Sequence, residues 1–464
     1  MLKSSVRPKG NIAFVSDNPG ALIGEPERGA QKVPSVVFAT GSAGGTIAAA
    51  RTLGSMGIKV GIISTQSFTA ASWSRSVARS YSAPPEKDSD RFLKRLLEIG
   101  AAEPGQVLLP SSDETAWLYT LNADLLKQHF RLIQPSIETM RIILDKKLFA
   151  DAAIKAGVTV LPSWEPRTFD EVVELAPNLP YPILIKPRTH VHRVRNDKGM
   201  VAHSKNELID LYRRFLTRET FLSDDALPSD ANLPVLQQFV EILDEGVYSV
   251  SGYIDQSGKS FVTRIVTKVF QRSRPAGVGI CFESRPADPA LSAAVFRLCR
   301  ELGYFGIFEV EFIRFAGRWA AIDFNARLFN QIGLDIRRGM PLPLFAYLEA
   351  TGETAALREA VVKSQKVEQD TPYIFYDRFT LRAICAAKML TGRIPLRERG
   401  RWRAWVKEHA SHAVDFAMDN KDPMPGIIHA FSEIYLGIRA IPRFLRSTPR
   451  TVQEPAAEVA RVSS

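Results

Sequence analysis

The stretch FEVEFIRFAGRWAAIDFNAR, Phe308 to Arg327, decides how the rest of the chain is read. Two apolar runs flank Ala316–Gly317, which reads as strand, turn, strand. Along a strand, side chains two apart share a face. The second run therefore sets Asp323, Asn325 and Arg327 on one face, and the first offers Glu311, with Glu309 on the same side. Such a face has two readings. It is a solvated edge, or a cation separates carboxylates that otherwise repel. Hard oxygen donors suit Mg²⁺, with Mn²⁺ as an alternative, and Mg²⁺ also takes phosphate oxygens. A guanidinium at Arg327 could clamp a carboxylate or a phosphoryl group.

Upstream segments bear on the choice. In YPILIKP, Lys186 follows an apolar strand core, where an ammonium needs a nearby anion or loses its charge. A lysine snorkelling from an edge strand gives the same pattern. Lys146 and Lys147 in LDKKLF are alternatives for a second cation, or simply solvated helix charges. PVLQQFVE reads as an apolar strand ending at Glu241. It is an ordinary strand, or one whose backbone pairs with a base while Glu241 accepts from ribose hydroxyls.

The chain has 464 residues, 45% of them hydrophobic, enough for about two to four domains. Residues 1–33 are rich in Gly, Pro and charge and read as a disordered tail. Residues 34–140 alternate strands and helices as an open parallel α/β domain. Residues 141–352 mix helices with hairpins, an α+β pattern. Residues 353–464 read as a basic, mostly helical extension with a disordered end. Within it, Pro425–Arg450 has apolar residues at helical spacing and is interrupted by Pro442. It is a helix packed on the core or a peripheral membrane contact.

Cys281, Cys299 and Cys385 have no metal spacing and imply no disulfide framework, which suits a reducing, cytoplasmic setting. The N-terminal apolar run IAFV is too short for a signal-peptide core, and no run approaches the length of a membrane span. A net charge of +10 is compatible with anionic small molecules, nucleic acid or a membrane surface. Without a zinc-finger or RNP-type motif, no specific nucleic-acid partner is expected.

The turn GSAGG, Gly41–Gly45, follows the strand VVFA but is not G-x-G-x-x-G, and the next strand ends at Ser64–Thr65 without an acidic residue for an NAD ribose. A tight strand-to-helix turn is the reading favoured over NAD(P) binding. PSSDET, Pro110–Thr115, lies at a strand's C-terminal end, where open α/β sheets bind ligands. Asp113 and Glu114 either hold an ammonium substrate there or belong to a helix cap. Arg264, Lys268, Arg272 and Arg274 either bind an acidic substrate or line a solvated strand.

Taken in order, DK, IKP, the strand ending in Glu241, and VEF…IDFNAR resemble the ATP-grasp superfamily over about Val33–Gly352, in particular carboxylate–amine ligases such as carbamoyl-phosphate synthase and D-aspartate ligase. The resemblance implies a pre-ATP-grasp α/β domain followed by a two-subdomain ATP-grasp fold. It implies Lys146 and Lys186 on ATP phosphates, Gln238, Phe239, Val240 and Glu241 on adenine and ribose, and Glu311, Asp323 and Asn325 on Mg²⁺. Arg327 falls beside the phosphoryl centre. Two departures stand out: Asp323 where Glu is commoner, and a loop after Lys186 with only Gly199 but His190, His192, Arg193, Arg195 and Lys198.

The expected activity is an ATP-dependent ligase that activates a carboxylate as an acylphosphate and passes it to an amine or thiol. Its partners are then small-molecule substrates, and a homo-oligomer is compatible with this. A non-catalytic ATP-binding protein recruited to a membrane and an NAD(P)-linked oxidoreductase are the alternatives.

Overall fold

The computed structural model describes residues 33–41, 43–65, 69–193, 199–218, 227, 230–241, 246–271, 278–390 and 396–446. For 218, 387–390, 396–399 and 436–446 only the backbone is described.

A five-stranded sheet comes first. It comprises β1 (Val36–Phe38), β2 (Val60–Ser64), β3 (Val77–Ser82), β4 (Gln106–Leu109) and β5 (Phe130–Arg131) in the order β3-β2-β1-β4-β5, all parallel. Central strands of a parallel sheet are covered on both faces, so β1 reads as an unbroken apolar run, β4 as one after Gln106, and both are fully buried.

The glycine turn leads into the helix Gly44–Ser55. A Cβ on Gly45 would lie 2.5 Å from the Phe329 carbonyl oxygen, and one on Gly44 2.6 Å from the Phe416 ring. These glycines let the helix lie directly on the segment that follows Arg327.

Two further sheets form the middle of the chain. The larger contains β6 (Thr159–Val160), β11 (Val247–Ile254), β12 (Phe261–Gln271), β13 (Gly279–Arg285), β14 (Gly306–Phe315), β15 (Arg318–Asn325), β16 (Ile374–Tyr376) and β17 (Ala413–Asp415), ordered β17-β16-β13-β12-β11-β14-β15-β6. The smaller contains β7 (Ser163–Trp164), β8 (Ile183–Pro187), β9 (Met200–Ala202) and β10 (Pro234–Gln238), ordered β7-β10-β8-β9 and antiparallel throughout.

β14 and β15 are the opening hairpin. Phe308, Val310, Phe312 and Phe324 are buried in one core cluster with Phe149 and Tyr304. Edge-on ring contacts join Phe324 to Tyr304 (4.9 Å) and Phe149 (6.2 Å). Each buried aromatic removes about 150–250 Å² from water, several kcal/mol at about 25 cal/mol per Å². That burial fixes which face of the hairpin points inward and leaves the polar face to line a cleft.

The segment after Gly352, expected as a helical extension, also contributes β16 and β17 to the large sheet. IFY and AVD are too short for an alternation signal, so their pairing shows only in three dimensions. The last described helix runs from Met424 to Arg446 and continues through Pro442 rather than stopping there. Just before it, Asp422 receives Arg51 Nε at 2.9 Å and Ser74 Oγ at 2.6 Å, tying this end of the chain to the N-terminal sheet unit. Among the described residues, no helix is long and apolar enough to cross a membrane.

Candidate nucleotide and metal site

The hairpin register pairs Glu309 with Asn325 and Glu311 with Asp323. A bulge after Glu311 makes Ile322 an extra residue on β15, so Ile322 and Asp323 both line the cleft despite being adjacent. The cleft is a cavity of about 250 Å³ between the two sheets of the middle region.

Helix capping places Lys146. Asp145 caps the helix Lys146–Lys155 by accepting from the backbone N–H of Lys147 (2.9 Å) and Leu148 (3.1 Å). Its other oxygen accepts from Arg188 Nε at 2.6 Å, and the Arg188 carbonyl accepts from Lys146 N at 2.9 Å. The helix start is thus bolted to the end of β8, the strand carrying Lys186. Lys146 lines the cavity and bonds Asp323. Lys147 faces Asp151 at 3.1 Å on the outside.

Lys186 is buried and donates to Gln237 Oε1 at 2.9 Å. Burial, and then the charge of Lys146, lower its pKa to about 7, with Asp323 acting the other way. An ammonium this poorly compensated is a ready partner for an anion.

Lys268, which sequence reasoning assigned only to a basic cluster, lines the same cavity and donates to Glu311 at 3.0 Å. Burial opposes its charge, but Glu311, then Glu309 and Asp323, hold its pKa above the ordinary lysine range. The signal was present in FVTRIVTKVF, but without the register nothing points Lys268 at Glu311.

Glu309 is buried, accepts from Asn325 Nδ2 at 3.1 Å, and is bonded by Gln331. Burial and the neighbouring Glu311 charge push its carboxyl up to about 7. Arg327 donates through Nε to Asp113 (2.6 Å) and through its two terminal nitrogens to the Leu328 carbonyl (3.0 Å) and Asn325 Oδ1 (2.8 Å). Burial works against both members of the Asp113–Arg327 pair. Their mutual attraction outweighs it, lowering the aspartate's pKa and raising the arginine's.

Asp113 and Glu114, read either as an ammonium subsite or as part of a helix cap, both have protein partners. Ser112 caps the helix Asp113–Leu121 in a capping box with Thr115, Asp113 holds Arg327, and Glu114 accepts the His192 backbone N–H at 2.9 Å. Gln238, Phe239 and Val240 line the cavity. The N–H groups of Gln238 and Phe239 bond the carbonyls of Pro162 (2.9 Å) and Pro182 (3.0 Å). Glu241 is exposed and is not among the residues lining the cavity. Arg272 and Arg274 lie outside the described residues. Arg264 is buried and donates to the carbonyls of Thr263, Arg338 and Ser364, so it braces the fold instead of meeting a substrate.

The expected metal ligands can be tested against this geometry. Among the described residues, no three His, Cys, Asp or Glu side chains converge on one point. Glu311 and Asp323 do face each other in register, and each is met by an ammonium, Lys268 and Lys146 respectively. The pair therefore demands positive charge, and its hard oxygens with the Asn325 amide fit Mg²⁺ in chemistry.

No protein-family model matches the chain. Solved structures do. The biotin carboxylase domain of Hydrogenobacter thermophilus 2-oxoglutarate carboxylase, crystallised with MgADP, ADP and bicarbonate, superposes with a TM-score of 0.58 at 16% identity, covering 74% of each chain. An L-amino acid ligase from Bacillus licheniformis gives 0.55 at 13% identity, over 74% of this chain and 80% of its own. N5-carboxyaminoimidazole synthetase from Staphylococcus aureus gives 0.52 at 14%, over 69% and 78%. These are ATP-grasp enzymes, and the fold of this chain is the ATP-grasp fold.

Proposed function

We propose that the chain is an ATP-dependent ligase that activates a carboxylate by phosphorylation and joins it to an amine. One observation carries this reading: Lys146, Lys186, Glu311, Asp323, Asn325 and Arg327 come from four separate segments and line one cavity, next to the end of β10. The structural neighbours with bound MgADP or an ATP analogue support nucleotide in a site of this fold.

In this reading the peptides of Gln238 to Val240 hold the adenine edge, with Glu241 turned to solvent. Lys146 and Lys186 hold phosphate oxygens, and the low pKa of Lys186 lets it take up a proton as the polyphosphate arrives. Mg²⁺, held by Glu311, Asp323 and Asn325, supplies charge to the phosphate oxygens when bound. Lys146, on Asp323, and Lys268, on Glu311, would then turn from the carboxylates to phosphate oxygens. Arg327, fixed on three sides, orients the acceptor carboxylate or the transferring phosphoryl group. An oxygen of the substrate carboxylate attacks the γ-phosphorus and ADP leaves. The amine then attacks the acyl carbon and phosphate leaves. Fixed charge and alignment do most of the work.

The test is ADP release by the full chain with ATP, Mg²⁺ and a panel of carboxylates and amines. Release should require both substrates and fall at least about a hundredfold in Lys186→Ala and Glu311→Ala. Release unchanged in both variants would refute the assignment.

A further inference from the structure

A second cavity, of about 450 Å³, lies beside the first. That is within the roughly 300–1,000 Å³ usual for small-molecule sites. Val278, Gly279 and Asn330 line both cavities, so they adjoin along one wall. The far wall comes from the C-terminal segment: Asp377 and Thr380 after β16, Phe416 after β17, and His429, Ser432 and Glu433 on the helix Met424–Arg446.

The two cavities differ in charge. The first presents Lys146, Lys186, Lys268 and Arg327 beside Glu309, Glu311 and Asp323, the second Asp377 and Glu433 beside His429, with no lysine or arginine among its described lining residues. Anionic nucleotide and carboxylate belong in the first. A cationic molecule belongs in the second.

The second cavity also holds an oriented histidine. His429 Nε2 meets Asp377 Oδ2 at 3.0 Å. Asp377 is held in turn by Thr380, whose Oγ1 donates at 2.6 Å and whose N–H donates at 3.0 Å. The ring packs against Phe416, centroids 4.7 Å apart, and Phe379, 6.4 Å. A neutral imidazole donating from Nε2 keeps Nδ1 as its acceptor. Base, orienting carboxylate and anchor for that carboxylate are the parts of a general base.

We propose that this cavity receives the ammonium-bearing nucleophile and that His429, oriented by Asp377, takes the proton that makes it a free amine. The inference rests on the ligase reading and deepens it. The ammonium gives one proton to His429. The freed nitrogen lone pair attacks the acyl carbon, and the bond from that carbon to the phosphoryl oxygen breaks. The second nitrogen proton leaves with phosphate, and His429 returns its proton to solvent. Asp377 is a positioning residue.

The surroundings tune the base. Burial alone lowers the pKa of His429, but Asp377, Glu433 on its own helix and Asp415 on β17 raise it above the ordinary histidine value. Arg378, 3.2 Å from Asp415, partly screens the last of these.

The experiment uses the full chain, ATP, Mg²⁺ and the carboxylate–amine pair returned by the ADP screen, with amine concentration and pH varied. His429→Gln should lower kcat for amide formation by about 10²–10⁴ and remove the acid limb of its pH profile. Asp377→Asn should move that limb to lower pH, because the charge that raises the histidine pKa is gone. Ser432→Trp, which fills the cavity and keeps both His429 and Asp377, should raise the KM for amine at least tenfold. An unchanged acid limb in His429→Gln and Asp377→Asn, or an unchanged amine KM in Ser432→Trp, overturns the proposal. If His429→Gln fails to fold, Ser432→Trp decides alone. Calorimetric binding of MgADP to the wild-type chain separates the two failures. Nucleotide that binds while amine dependence is unmoved by these variants sinks the nucleophile site only. A wild-type chain that neither binds MgADP nor releases ADP with any pair sinks both.

Discussion

Lys186 gives a pH signature of nucleotide binding that its position alone sets. In the free protein its pKa is about 7, lowered by burial and then by Lys146. Phosphate oxygens within about 4–6 Å favour the charged form and return the pKa toward or above the ordinary lysine value. Below pH 7 the lysine is already charged, and affinity is flat. Above pH 7 binding must draw a proton from solution, so affinity falls about tenfold, or ~1.4 kcal/mol, per pH unit. From pH 7.5 to 9.5 the MgADP Kd should rise about a hundredfold, ~2.7 kcal/mol, over a range where nucleotide phosphates are fully ionised. Calorimetry in buffers of different ionisation enthalpy should count about one proton taken up at pH 8.5 and almost none at pH 6. Lys186→Met should bind more weakly at pH 7.5, lack this slope, and approach the wild-type affinity at pH 9.5. A pH-independent wild-type Kd across this range, or the same slope in Lys186→Met, would refute the reasoning.

Three other outcomes follow from the same geometry. Lys268→Met removes the ammonium facing Glu311 and leaves that carboxylate beside Glu309 without it, so its melting temperature should be below wild type and rise with Mg²⁺ more than the wild type does, read by thermal melts across a Mg²⁺ series. Arg327→Lys cannot reproduce the three-way fork to Asp113, Asn325 and the Leu328 carbonyl, and kcat for ADP release should fall by about 10²–10³ while circular dichroism is unchanged. Gly45→Ala drives a methyl against the Phe329 carbonyl and should cost about 1–3 kcal/mol in urea unfolding.

How far the site could be read from the sequence depended on the range of the interactions. The hairpin was legible because its alternation is local and its aromatic face must be buried. Lys186 was legible because an ammonium within YPILI is conspicuous. The residues alone left Lys146 and Lys147 open and the resemblance implied Lys146; what turns Lys146 to the cavity is the Asp145–Arg188 clasp, which joins residues 43 apart. The Asp113–Arg327 bond spans 214 residues, and no local pattern announces it. The bulge at Ile322 and the pairing of Lys268 with Glu311 depend on strand register, which alternation alone does not specify. The strands Ile374–Tyr376 and Ala413–Asp415 were hidden for want of length, and with them the second cavity. The glycines of the first turn were conspicuous, but their reason is the backbone of Phe329, which no local pattern announces.

The central claim is that the substrate carboxylate attacks the terminal phosphate of ATP. Its most direct test is to run the reaction with substrate labelled with heavy oxygen in the carboxylate and weigh the phosphate released. The account predicts one labelled oxygen in inorganic phosphate per amide bond formed. Phosphate carrying oxygen from water, with the carboxylate label undisturbed, would contradict it.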